Sequence, residues 1–213
     1  MKSNFFITLE GGEGTGKSTQ ARLLADFLEK NGHPCVLTRE PGGSEGAEEI
    51  RNLVVKGDVA RWDVMTEALL MFAARRDHLV KTVWPAMKEG KTVICDRFAD
   101  STMAYQGFGY ADRGLGQMTV EQIYKIVVGD FKPDLTIILD MPVEAGVARA
   151  VKRDANINRY EKMGLDFHRN LRNAFLEIEK KEPMRCTVID ANRTIEEISA
   201  DIISVVRARL LKA

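Results

Sequence analysis

A glycine-rich stretch, Gly11-Gly12-Glu13-Gly14-Thr15-Gly16-Lys17-Ser18, sets the frame for this chain. Its G-x-x-x-x-G-K-S spacing is that of a phosphate-binding loop. The apolar run Phe5-Phe6-Ile7-Thr8-Leu9 precedes it, and Thr19 to Glu29 follows with Leu24, Phe27 and Leu28 at helical spacing. Strand, glycine loop and helix in that order predict a turn whose backbone N–H groups curl around a polyphosphate, because side chains would block that approach. The positive end of the helix then faces the same anion. Lys17 is expected to reach the β- and γ-phosphates and the Ser18 hydroxyl to bind Mg²⁺, with Gly11, Gly12, Glu13, Gly14, Thr15, Gly16 and Thr19 completing an ATP site. The motif implies a bound nucleoside triphosphate and leaves the reaction open.

Further short apolar runs lie at Cys35–Thr38, Thr92–Asp96, Leu135–Asp140 and Cys186–Asp190, and helical patterns separate them. Ala47 to Val55 reads as a helix. Asp63 caps a long one expected to reach about Glu89, apolar on more than one face, with Pro85 as the expected point of any bend. Ser101 to Gly107 reads as a helical turn. Thr119 and Gln122 form a capping box for a helix ending near Gly129, and Thr194 and Glu197 form another before the last helix. Phe167, Leu171, Ala174, Phe175 and Ile178 stripe the helix between. Short buried strands alternating with helices predict an α/β fold: a doubly wound five-stranded parallel sheet of the P-loop NTPase type, with helices on both faces. Lys152 to Arg159 has no apolar period and reads as a mobile lid, about residues 150–162.

The length of 213 residues fits one domain, 1–213. Lysine plus arginine and aspartate plus glutamate number 31 each, so no general basic field argues for nucleic acid or a membrane surface. Cys35, Cys95 and Cys186 fall in strand-like runs without a C-x-x-C pair and are expected to be buried thiols. No leader precedes the first strand and no apolar run approaches a membrane span, so a cytoplasmic location is expected.

A small-molecule kinase needs a metal ligand, a second anion site and a cationic lid. Asp96, at a strand end, is placed to hold Mg²⁺, and Arg97 beside it to bridge two phosphates. Arg149, Lys152, Arg153 and Arg159 supply the lid cations, Arg149 and Arg153 sharing a helical face. No N-K-x-D guanine-reading motif is present.

Taken with Thr38-Arg39-Glu40-Pro41-Gly42-Gly43, Leu70-Met71-Phe72-Ala73-Ala74-Arg75-Arg76, Asp96-Arg97 and Ser101-Thr102-Met103-Ala104-Tyr105-Gln106-Gly107, the chain resembles the thymidylate kinases over most of its length. The resemblance implies transfer of the ATP γ-phosphoryl group to dTMP on the way to dTTP, a homodimer, and a set of roles. Phe72 would stack on thymine, Arg76 would bind a base carbonyl and Gln106 the remaining polar edge. Tyr105 would sit against the sugar C2′. Arg39, Arg51, Arg97 and Ser101 would hold dTMP, chiefly its phosphate. Glu13 would lie near the sugar 3′-hydroxyl or the metal's waters. An acidic residue there goes with a catalytic arginine in the lid, Arg153 first and Arg149 second. Asn158 stands where the lid often carries aspartate, and Glu161 could contact metal water or substrate. The alternatives are another P-loop kinase and a slow nucleotide-dependent switch.

Overall fold

The computed structural model describes residues 4–153 and 159–211, the side chain of Arg153 excepted. Its centre is a parallel sheet of β1 (Phe6–Gly11), β2 (Cys35–Arg39), β3 (Thr92–Asp96), β4 (Leu135–Asp140) and β5 (Cys186–Asp190), in the order β2-β3-β1-β4-β5. Alternation along the strands divides the core. Ile7, Leu9, Ile94, Leu135, Ile137 and Leu139 pack one face of the sheet against α1 (Lys17–Lys30) and α9 (Ile195–Arg209). On the other face, Phe6, Val93 and Cys95 pack with Phe72 and Leu79, while Ile138 and Cys186 pack with Leu171 and Phe175.

That second face is covered by α3 (Val64–His78), α4 (Trp84–Lys88), α6 (Gly116–Val127) and α8 (Leu165–Lys181). The remaining α-helices among the described residues are α2 (Glu45–Val55), α5 (Ala99–Thr102) and α7 (Val143–Arg153). Asp63 caps α3 by accepting from the Met65 and Thr66 amides. The helix does not run on to Glu89 unbroken: a π-helical turn at Leu79–Val83 intervenes, and Pro85 falls in the first turn of α4, where its missing N–H does no harm. Ala99–Thr102 likewise passes into a π-helical segment, Met103–Gly109. The capping box expected at Thr119 is not used, because α6 begins earlier, at Gly116. The one at Thr194 and Glu197 is formed in full. Cys95 and Cys186 are buried, whereas Cys35, on the edge strand β2, is only half-buried; all three are free thiols. The middle of the expected lid, residues 154–158 with Asn158, lies outside the described residues. Among the described residues no helix is long and apolar enough to cross a membrane.

Candidate active site

The glycine loop leaves the carboxyl end of β1 and turns into α1 at Gly16, whose φ of 89° is left-handed and which has no side chain to cap the first helical turn. The first amides of α1 therefore face outward for an anion. Lys17 Nζ lies over the loop, donating to the carbonyls of Gly11 (3.1 Å) and Gly12 (2.6 Å) and to Thr15 Oγ1 (3.3 Å). Burial, then the Arg97 charge, push its ammonium down to about 8 against the pull of Glu13, Asp96 and Glu10. Behind the loop, α7 makes a glycine-to-glycine contact. A Cβ on Gly14 would meet the Gly146 carbonyl oxygen at 2.0 Å, and one on Gly146 would meet the Glu13 carbonyl oxygen at 2.6 Å. This close approach fixes Arg149, one turn further along α7, at the cavity wall, where its Nη1 donates to the Ala191 carbonyl at 3.2 Å.

β3 delivers Asp96 and Arg97 beside the loop because it pairs directly with β1, Leu9 opposite Asp96. Ser18 Oγ donates to Asp96 Oδ2. Among the described residues no group of three or more His, Cys, Asp or Glu gathers to hold a metal alone. A single hydroxyl and a single carboxylate suit Mg²⁺, which keeps waters and phosphate oxygens in its shell. Arg97 adopts φ 73°, unusual for a residue with a side chain. The backbone is held there from both sides: Arg97 N donates to Leu9 O at 2.9 Å and Phe98 N to Glu10 Oε1 at 2.7 Å. The guanidinium donates to Gly11 O (3.0 Å), Ser101 Oγ (3.0 Å) and Glu13 Oε1 (3.0 Å). Ser101 in turn donates to Glu10 Oε2 at 2.6 Å. Glu13 Oε1 also accepts from the Tyr105 hydroxyl at 2.8 Å. Burial alone would raise the Glu13 carboxyl; the Arg97 and Lys17 charges and the Tyr105 hydroxyl outweigh it and bring it down to about 2.

These groups open onto a cavity of about 600 Å³. At the phosphate end its wall carries Lys17, Ser18, Asp96, Arg97, Arg39 and Arg51. Arg39 is held by Glu48 at 2.9 Å and Arg51 by the Pro41 carbonyl at 2.8 Å, beyond a cis Glu40–Pro41 bond. At the far end stand Val55, Met71, Arg75, Phe98, Thr102, Tyr105, Gln106 and Tyr160. Arg75 is 2% exposed. Its Nε donates to Glu40 Oε2 (2.8 Å) and Nη2 to Thr102 Oγ1 (3.1 Å), and its guanidinium lies over the Phe72 and Phe98 rings. Arg75 Nη1 and Gln106 Oε1 are buried and find no hydrogen-bond partner among the described residues.

A family model described as thymidylate kinase matches residues 9–202. The chain belongs to the thymidylate kinase family. It is 50% identical over 210 residues to a thymidylate kinase of Caulobacter vibrioides, covering 99% of each chain. It is 47% identical over 208 residues to one of Ruegeria pomeroyi, covering 98% of this chain and 97% of that one. The crystal structure of thymidylate kinase from Ehrlichia chaffeensis superposes with a TM-score of 0.76 at 35% identity, covering 95% of this chain and 98% of that one.

Within this thymidylate kinase fold, two expected base-site residues lie elsewhere. Phe72 is 1% exposed and packs inward with Phe6, Leu79 and Phe98, and Met71 takes the cavity wall instead. Arg76 is exposed on the opposite side of α3, donating to the Val127 carbonyl at 3.0 Å and lying over Trp84. The register is one residue off the expectation, and Met71 and Arg75 face the cavity. Arg159 is not a free lid cation. It is buried, pairs with Glu67 and donates to the Tyr160 hydroxyl at 3.2 Å. Tyr105, Gln106, Arg39, Arg51, Arg97, Ser101 and Arg149 all lie at the cavity wall. Arg153 ends α7, and its side chain lies outside the described residues. Glu40, Val55, Met71, Arg75, Thr102 and Tyr160 are cavity residues that sequence reasoning had not assigned to the site, although all except Val55 sit in stretches it had singled out.

Proposed function

We propose that this chain transfers the γ-phosphoryl group of ATP to dTMP, giving dTDP and ADP, a step toward dTTP in nucleotide biosynthesis. The observation that carries the reading is one continuous cavity with the loop lysine and Arg97 at one end and two unpartnered base-reading groups, Arg75 Nη1 and Gln106 Oε1, at the other. An oxygen of the acceptor phosphate forms the new bond to the γ-phosphorus as the β–γ bridging bond breaks and its electrons pass to ADP. The acceptor phosphate is already a nucleophilic anion, so position and charge carry the catalysis.

Lys17 neutralises the β- and γ-phosphates. Arg97, clamped by Gly11, Ser101 and Glu13, reaches between donor and acceptor. Arg39 and Arg51 hold the acceptor phosphate, and Arg149 or Arg153 approaches the moving phosphoryl from α7. Ser101 acts through Arg97 and Glu10. Tyr105 lies against the sugar, its hydroxyl committed to Glu13, which stands near the 3′-hydroxyl. Ser18 and Asp96 would hold Mg²⁺, which would neutralise charge on the triphosphate. Thymine rests between Met71 and Phe98, with Arg75 at its O4 carbonyl.

The whole chain acts as one kinase domain in the cytoplasm, in keeping with three free thiols. It works as a homodimer through the exposed apolar side of α3, where Met65 is 39% and Leu69 52% exposed. Light scattering on a sizing column tests the dimer. A coupled ADP-release assay across dTMP, thymidine, dUMP, dCMP and dGMP tests the reaction. dTMP should be consumed fastest; an enzyme that leaves dTMP untouched while consuming another acceptor overturns the assignment.

A further inference from the structure

Glu67, in the first turn of α3, is fully buried beside the base end of the cavity but is not part of its wall. A buried carboxylate needs partners, and this one has four side chains among the described residues. Arg159 Nη2 donates to Oε1, the Tyr110 hydroxyl lies 2.9 Å from both oxygens, the Tyr160 hydroxyl donates to Oε2 at 3.1 Å, and Gln106 Nε2 donates to Oε2 at 3.1 Å. Gln106 Nε2 is also 3.3 Å from the Tyr160 hydroxyl oxygen.

The direction of the Gln106 amide follows from this donor and acceptor count. A carboxylate only accepts. The Tyr160 hydroxyl spends its proton on Glu67 and can only accept from Gln106. Both partners on that side therefore demand the amide nitrogen. Turning the amide over would set its oxygen against a carboxylate and against a phenol with no hydrogen to give. Gln106 Oε1 is thereby fixed on the other side, unpartnered, in a residue of the cavity wall. Arg75 Nη1, a donor, is the other buried group of that wall without a partner among the described residues. One fixed donor and one fixed acceptor match the O4 and N3–H of thymine. They oppose the N4 amino group and bare N3 of cytosine.

We propose that Glu67 is a positioning residue for base specificity: by fixing the Gln106 amide with its oxygen as the free group, it makes the site select a thymine-type edge over a cytosine-type edge. The Glu67–Arg159 pair also ties the chain beyond residue 158 to α3. The proposal rests on the dTMP reading above, and the wild-type enzyme tests that reading separately, by whether it phosphorylates dTMP at all.

The test is the ratio of the dCMP inhibition constant to the dTMP KM. In Glu67→Gln one acceptor becomes an amide donor, and Gln106 is released to turn over. The variant Glu67→Gln/Arg159→Met removes the buried cation as well, so that no charge is stranded if the single variant fails to fold. The ratio should fall roughly ten- to a hundredfold, through a rise in dTMP KM with the ATP KM unchanged, as expected when a buried polar group faces the wrong partner. In a Gln106→Met background the same Glu67 change should leave the ratio within about twofold, since the group being oriented is gone. A folded Glu67 variant with an unchanged ratio overturns the proposal. So does an equal fall in the Gln106→Met background.

Discussion

Replacing Arg75 by methionine separates the base site assigned here from the one its neighbour Arg76 would make. Methionine keeps the apolar length of the stem over Phe72 and Phe98 and removes the guanidinium. Two losses follow, and they are read by different assays. A hydrogen bond from a charged donor is worth about 1.5–3 kcal/mol, so kcat/KM for dTMP should fall roughly ten- to a hundredfold. ATP KM at saturating dTMP should hold. Glu40 also loses its 2.8 Å partner while buried. Stranding a buried partner costs about 3–5 kcal/mol, and the His78 ring, with Nδ1 still 2.9 Å from Glu40 Oε1, keeps the cost near the lower end. At about 2–4 °C per kcal/mol for a chain of this size, Tm should drop by roughly 6–12 °C in a calorimeter. Kinetics are therefore measured well below that temperature. Arg76→Ala, at an exposed site, should change neither dTMP kinetics nor Tm by much. An Arg75→Met enzyme with normal dTMP kinetics, or an Arg76→Ala enzyme that loses them, refutes the reasoning.

Lys17→Ala should lower kcat by at least about a hundredfold with an intact fold by circular dichroism, and near-normal turnover would remove Lys17 from the mechanism. Because the free enzyme holds Lys17 down at about 8, ATP binding at pH 8.5 should take up a proton as the polyphosphate restores the ammonium. Titration calorimetry in buffers of different ionisation enthalpy reads that uptake, and a buffer-independent heat argues against it. Glu13 titrates at about 2 when folded, against 4.5 for an unperturbed glutamate, so its stabilisation of about 3 kcal/mol is present above pH 4.5 and lost as pH falls toward 2. Urea melts should show the advantage over Glu13→Gln shrinking across that window, and a constant gap would contradict the clamp. Arg149→Ala should lower kcat and leave dTMP KM within about twofold in steady-state assays.

The strands and the phosphate loop were legible because each rests on a local rule. Alternating or continuous apolar runs end in turn residues, and G-x-x-x-x-G-K-S has one geometry. Arg97 and Asp96 were legible for the same reason, lying just beyond a readable strand. The α3 side of the base end was not. From Leu69 to Ala74 the helix α3 is apolar all round, so periodicity does not say which of Met71 and Phe72 looks into the cavity, nor which of Arg75 and Arg76. Packing against Phe6 and Phe98 decides it, and those contacts join residues far apart in the chain. Glu67 sits where acidic residues commonly complement a helix dipole, and nothing local marks it as buried. Arg159 looked like one more lid cation because its partner lies 92 positions away.

The loop, Asp96 and Arg97 all issue from adjoining rungs of a single hydrogen-bonded slab, since β1 lies between β3 and β4. Strand spacing, near 4.8 Å in any sheet, thus acts as a ruler between the two anions that must meet. Helices wrapped on that slab can change what sits at the far end without altering the gauge. Retuning such an enzyme toward a new acceptor is a matter of redecorating α3 and the segment after β3, while any change that loosens the slab itself would blur the transfer for every acceptor alike.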